Sequence, residues 1–178
     1  AFFLAGMSIF DAVNHAFSVA ATGGFSTKNA SIGAYDSWLI EFVAVVFMLL
    51  GGMHFGLIYS TFAERSLKLF RSPITKFYLG TVAVATVLVS LDLFVHGVEG
   101  SFWENIWNSL FNVVSFISTT GFGTVDTSVW PSLSILLLIF LSIQCACSGS
   151  TTGGLKSDRV YIFWKSFRVQ LRMQMHPN

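Results

Sequence analysis

Apolar residues run along this chain in long blocks separated by short polar joints. Residues 1–7 read as the tail of a membrane helix. Ser8 then heads Ser8-Ile9-Phe10-Asp11, a serine followed three residues on by an acid, the spacing that caps a helix start. A short helix is predicted from there to about Ala21. Residues 28–37 are polar, contain Gly33 and Asp36, and read as a loop. From Phe42 to Ala63 there is no Asp, Glu, Lys or Arg. That is long enough for one membrane span, which needs about 20 residues. Glu64–Pro73 is a basic joint, and a second span is predicted over Ile74–Val95, ending before Gly97 and Gly100. Ser101-Phe102-Trp103-Glu104 repeats the serine-plus-acid start and predicts a second short helix, to Ser118. Pro131 opens a third apolar run, Leu133–Ala146. It breaks off into Ser148-Gly149-Ser150-Thr151-Thr152-Gly153-Gly154, and a basic, aromatic segment follows, Lys156–Arg172.

The two short helices belong to an internal repeat, which is the feature that decides the architecture. At an offset of 97, Ile9–Thr27 aligns with Ile106–Thr124 without gaps. Ile9 matches Ile106, Ser18 matches Ser115, Thr22 matches Thr119, Gly24 matches Gly121, Phe25 matches Phe122 and Thr27 matches Thr124. The identities gather in Thr22-Gly23-Gly24-Phe25 and Thr119-Thr120-Gly121-Phe122, where packing demands least. The repeating unit is therefore span, short re-entrant helix, glycine loop, span. Residues 1–73 hold one unit without most of its first span, and residues 74–178 hold a second. Asn105–Val125 is also free of formal charge, but Asn105, Asn108, Asn112, Ser115, Ser118, Thr119 and Thr120 make it a poor lipid-facing span. Polar, irregular backbone at membrane depth survives only where it lines water or is covered by protein.

Composition sharpens the class. Apolar residues make up 53% and charged residues 11%, with mean hydropathy +0.68, against about 25% charged in a soluble domain. An all-α membrane protein with lipid as its solvent is expected. Residues 1–10 lack a basic start and a cleavage site, and the abrupt apolar opening reads as a piece of a longer chain. The net charge of +1 conceals an asymmetry. Arg65, Lys68, Arg71 and Lys76 follow the first span, and Lys156, Arg159, Lys165, Arg168 and Arg172 follow the third. The other joints hold Asp36, Glu41, Asp92, Glu99, Glu104 and Asp126 against the single base Lys28. Basic loops face the cytoplasm, so both threonine–glycine loops fall toward the outer face. Cys145 and Cys147 form neither a disulfide framework nor a transition-metal pattern and read as small packing residues. No nucleophile–base set for an enzyme appears.

The repeated loops suit an alkali cation. Such an ion needs oxygens in place of its water shell, and backbone carbonyls supply them without a formal charge that would hold it too tightly. Gly24 and Gly121 permit the backbone angles this requires. Thr22 and Thr119 offer hydroxyls at the inner end. Each short helix turns its negative C-terminal end toward the loop, and Phe25 and Phe122 are expected to buttress it from behind.

With these residues in view, the chain resembles the bacterial Trk/Ktr/HKT potassium transporter superfamily, its TrkH-type branch in particular. The resemblance is carried by Ala21-Thr22-Gly23-Gly24-Phe25-Ser26-Thr27, Leu49-Leu50-Gly51-Gly52-Met53-His54-Phe55, Thr119-Thr120-Gly121-Phe122 and Ser148–Lys156, in order and spacing. It implies potassium ions at filter carbonyls and a pseudo-fourfold pore from four such units in one chain, of which this sequence holds most of the second and all of the third. It also implies that Ser148–Gly154 is an intramembrane gating loop, that the full-length subunit is a homodimer in the bacterial inner membrane, and that a cytoplasmic nucleotide-binding ring regulates it. No nucleic-acid partner is implied.

Several residues carry competing readings. Gly149–Gly154 has the glycine spacing of a phosphate loop, but Leu155 precedes Lys156 where the lysine should follow glycine directly. Gly51 and Gly52 read as a close helix contact. His54, polar within a span, is a functional candidate set against a structural hydrogen bond. Asp92 and His96 are expected to be solvated or interfacial at a span end. Lys156 and Arg159 read as cytoplasmic anchors, with a gating contact as the alternative. Two rival classes stand beside selective permeation: a short-chain oligomeric cation channel and a coupled cation symporter built on broken helices.

Overall fold

The computed structural model describes residues 1–65, 68–98 and 101–175, and among them every regular element is helical. Glu99, Gly100 and the side chain of Lys68, which entered the sequence expectations, lie outside the described residues. The helices are α1 (Ile9–Ala20), α2 (Trp38–Gly51), α3 (Phe55–Ala63), α4 (Lys68–Arg71), α5 (Pro73–His96), α6 (Phe102–Ile117), α7 (Ser132–Gln144) and α8 (Ser157–Met175).

Both predicted caps form. The Ser8 hydroxyl accepts the Asp11 N–H at 3.1 Å, and Ser101 and Glu104 close a reciprocal capping box at the head of α6. The polar joint after the first loop contains a turn of 3-10 helix, Ser31–Tyr35, fixed by the Gly33 N–H on the Gly123 carbonyl at 3.1 Å. α5 is the expected span. It is long and apolar enough to cross a bilayer by itself, and Gly97 ends it at φ +61 with the Val98 N–H returning to the Leu93 carbonyl.

The first expected span is not straight. It starts at Trp38, ahead of Phe42, stops at Gly51 and resumes at Phe55 with a bend of 99°. The cause is tertiary. At the break the Gly52 carbonyl accepts the Cys147 N–H at 2.9 Å, and the Phe55 N–H donates to the Gly149 carbonyl at 3.1 Å. Backbone groups freed from the helix are thereby satisfied by a second interrupted helix, the condition for a break at membrane depth. Gly52 is also a close contact, as expected, because a Cβ there would stand 2.5 Å from the Tyr78 hydroxyl. The third apolar run ends earlier than expected, at Gln144, where Cys145 turns to φ +43.

α5 packs along α6, and both touch α7. Tyr78, Val89 and Leu93 of α5 and Phe111, Val114 and Ile117 of α6 are fully buried in one cluster. Asp92 corrects the expectation of a solvated residue. It is buried, and one carboxylate oxygen accepts both the N–H (3.0 Å) and the hydroxyl (2.6 Å) of Ser134 in the first turn of α7. A carboxylate at a helix N-terminus satisfies donors the helix itself leaves unpaired. Asp92→Ala is expected to lower stability by about 1–3 kcal/mol, read by thermal unfolding in detergent. His96→Ala, whose ring is mostly exposed, is expected to change it far less.

Candidate functional site: two repeated loops and an interrupted helix

The loops following α1 and α6 share three backbone hydrogen bonds. Ala21 N–H meets Phe17 C=O and Ser118 N–H meets Val114 C=O. Thr22 N–H meets Val19 C=O, as Thr119 N–H meets Phe116 C=O, each at 3.0 Å. Gly23 N–H bonds Ser18 C=O and Thr120 N–H bonds Ser115 C=O. Every pair is related by the same offset of 97. The backbone agrees, with φ +49 at Thr22 and +52 at Thr119, then +68 at Gly24 and +82 at Gly121. A threonine in the left-handed region costs about 1–2 kcal/mol. Sequence reasoning foresaw the glycines and missed the threonines, whose side chains give no hint of that conformation.

The two loops touch. A Cβ on Gly24 would overlap the Thr120 carbonyl oxygen and lie 3.1 Å from the Gly121 carbonyl carbon. A Cβ on Gly121 would meet nothing within 4 Å among the described residues. Gly23 is exposed, and Thr22 and Thr120 are buried.

Behind the second loop, Phe122 is buried and stacks on His15 of α1, ring centroids 5.7 Å apart, as a buttress should. Its carbonyl accepts the Ser115 hydroxyl at 2.6 Å and so turns back toward α6. Phe25 departs from the expectation, being 81% exposed. The reason is positional: Phe122 packs on the short helix of the preceding copy, and no described residue stands in that relation to Phe25. α6 carries a buried polar stripe, Asn105, Ser109, Asn112, Ser115 and Ser118, consistent with a helix enclosed by protein. On the joint after the second loop, hydrogen bonds from the hydroxyl and N–H of Ser128 hold the Asp126 carboxyl below the usual carboxylate range.

Ser148–Gly154 lies directly against both loops. The Thr22 hydroxyl reaches the Thr151 carbonyl at 3.2 Å, and the Gly153 N–H donates to the Thr119 hydroxyl oxygen at 3.0 Å. Its base is pinned. Leu155 N–H bonds Ile143 C=O, the N–H and hydroxyl of Ser157 bond the Ala146 and Cys145 carbonyls, and Asp158 accepts the Ser148 N–H. Cys145 and Cys147 are buried and free, as packing residues, but they sit in this break and not inside a helix. His54 corrects another expectation. It is exposed, and its ring covers the Gly149 backbone, where a Cβ would meet the imidazole at 2.9 Å. Lys156, expected as an anchor, instead turns its ammonium onto the carbonyl and hydroxyl of Thr152, while Arg159 is exposed.

Helices with apolar exteriors, a broken span and paired re-entrant loops define an all-helical membrane protein of the pore-loop type. The family described as TrkH, cation transport protein, matches residues 2–178, and the chain belongs to it. It is 38% identical over 179 residues to the Trk system potassium uptake protein TrkH of Escherichia coli (strain K12), covering 100% of this chain and 37% of that protein. It is 34% identical over 178 residues to the Trk system potassium uptake protein TrkG of the same organism, covering 98% of this chain and 36% of that one. The crystal structure of the potassium transporter TrkH from Vibrio parahaemolyticus matches with a TM-score of 0.94 at 34% identity, over 99% of this chain and 38% of that chain. The chain thus spans little more than a third of the relatives' length.

Proposed function

We propose that this chain is the middle part of a potassium-uptake subunit and that its two threonine–glycine loops are adjacent quarters of one selectivity filter. The observation that carries this is the contact between the loops. Gly24 abuts Thr120 and Gly121, and among the described residues the equivalent face of Gly121 is open. One neighbour relation, used once within the chain and left free at its end, is what a ring of such loops requires. Residues 1–73 then contribute the second pore repeat and residues 74–178 the third.

In this reading Thr22, Gly23 and Gly24, with Thr119, Thr120 and Gly121, line the ion path. Phe25 and Phe122 close the filter segment, the latter anchored by Ser115 and His15. The left-handed pairs at 22/24 and 119/121 turn successive carbonyls toward the shared path, where uncharged oxygens replace the ion's water. The short helices α1 and α6 direct their negative ends toward it. Ser148–Gly154 is the gating loop beneath, docked on both filter threonines. The charge asymmetry puts the filter outward and the basic segments around Arg65–Lys76 and Lys156–Arg172 in the cytoplasm. The names of the relatives support potassium as the transported ion, and a multi-pass inner-membrane setting belongs to the same proposal. The homodimer and the nucleotide-binding regulatory ring remain part of the same proposal, and the subunit is a transporter and not an enzyme.

Rubidium uptake by the complete subunit in liposomes is expected to be competed by potassium and hardly by sodium. Equal competition by both would contradict the filter. Deleting Ser150–Thr152 should raise uptake, since it removes the docking on Thr22. The coupled-symporter reading gains some support from two helices broken beside each other. Uptake that stops when a proton or sodium gradient is collapsed at constant membrane potential would favour it.

A further inference from the structure

We infer that Lys156 is a positioning residue that latches Ser148–Gly154 against the filter. The inference rests on the filter-and-gate reading above and names the group that holds the gate shut.

The geometry centres on one peptide unit. The carbonyl of the Thr152–Gly153 peptide accepts a bond from the Lys156 ammonium, and the N–H of the same peptide donates to the Thr119 hydroxyl oxygen at 3.0 Å. The unit is held from both sides. A cation on the carbonyl polarises the peptide and strengthens the bond its N–H makes, because linked hydrogen bonds polarise one another. The ammonium also reaches the Thr152 hydroxyl at 3.1 Å, which is paired with Ser150 at 2.7 Å, and Ser150 in turn donates to the Cys147 carbonyl at 2.6 Å. Thr152 is buried. One charged group thereby organises the loop from Cys147 to Gly153.

Two further observations fit a latch better than an anchor. Lys156 immediately precedes α8, so its charge sits at the positive end of that helix, where a cation is disfavoured. Its position has to be offset by its bonds to Thr152. Those partners are neutral oxygens, a carbonyl and a hydroxyl, the same kinds that hold a permeating cation. In the docked arrangement the N–H of Gly153 occupies a lone pair of Thr119 that would otherwise be open to an ion. Releasing Lys156 frees the peptide, and with it the inner end of the filter.

The test uses the complete subunit in liposomes without its regulatory partner, with rubidium uptake as the readout. Lys156→Met keeps the length of the side chain and removes the charge. A charge-assisted hydrogen bond of ordinary strength predicts a rise in partner-independent uptake of roughly tenfold or more. Lys156→Arg, which retains the charge, should return uptake toward the low wild-type level, and potassium-over-sodium preference should be unchanged in both. Lys156→Gln serves if the methionine variant does not accumulate. If removing the charge leaves uptake at the wild-type level while the Ser150–Thr152 deletion raises it, the latch is wrong and the gate stands. If neither change raises uptake, the gate itself is wrong. A rise with Lys156→Arg equal to that with Lys156→Met also overturns the latch, since charge would then be irrelevant.

Discussion

Gly24→Ala in the complete subunit is expected to abolish potassium-selective uptake, whereas Gly121→Ser is expected to spare uptake and weaken discrimination against sodium. Both glycines stand at positive φ, +68 and +82. A side chain in that region costs about 1–2 kcal/mol, enough to shift a local equilibrium by roughly 5- to 30-fold. Gly24 carries a second penalty. Its Cβ would fall on the Thr120 carbonyl oxygen and 3.1 Å from the Gly121 carbonyl carbon, so the loops must separate. That moves backbone, which has no alternative rotamer to retreat into. Gly121 faces open space among the described residues, and strain is its main cost. Competition of rubidium uptake by sodium measures both. Unchanged preference in Gly121→Ser would count heavily against its filter role, and a selective Gly24→Ala subunit would show that the loop contact is dispensable.

The second large effect is expected at the break between α2 and α3. Gly52→Ala should destabilise the protein by about 1–3 kcal/mol, measured by thermal unfolding in detergent. A Cβ there would stand 2.5 Å from the buried Tyr78 hydroxyl and 2.9 Å from the Ala146 Cβ. Neither neighbour is the end of a flexible chain. The backbone would have to retreat, and the Cys147 N–H would lose its bond to the Gly52 carbonyl. Because that bond ties the α2–α3 break to Ser148–Gly154, the gating proposed for that loop should change together with stability. Tyr78→Phe in the Gly52→Ala background should recover part of the loss. A variant as stable as wild type would mean that the two interrupted helices are not packed as tightly as their bonds imply.

These cases also show what the residue pattern can and cannot convey. The caps at Ser8 and Ser101 depend on neighbours three positions away, so they were readable. The repeat was readable because the glycine and threonine identities survive where packing imposes little. The break at Gly52 was not, since Phe42–Ala63 is uniformly apolar and its interruption depends on Cys147 and Gly149, about a hundred residues away. Asp92 misled for the same reason: near a span end a carboxylate suggests water, and only the fold brings Ser134 to it. Thr22 and Thr119 adopt a conformation against their own preference, which sequence propensity would argue against and a functional constraint readily explains. Lys156 was visible as a charge beside a glycine-rich loop. That its ammonium turns back onto Thr152 depended on the loop's path.

The most direct test of the account is the position of a heavy potassium substitute in a structure of the complete subunit. Crystals or grids prepared in rubidium should show density on the path shared by the two loops, beside Gly24 and Gly121. Rubidium bound elsewhere in a subunit that still transports it, with none beside these glycines, would contradict the claim that they form one filter.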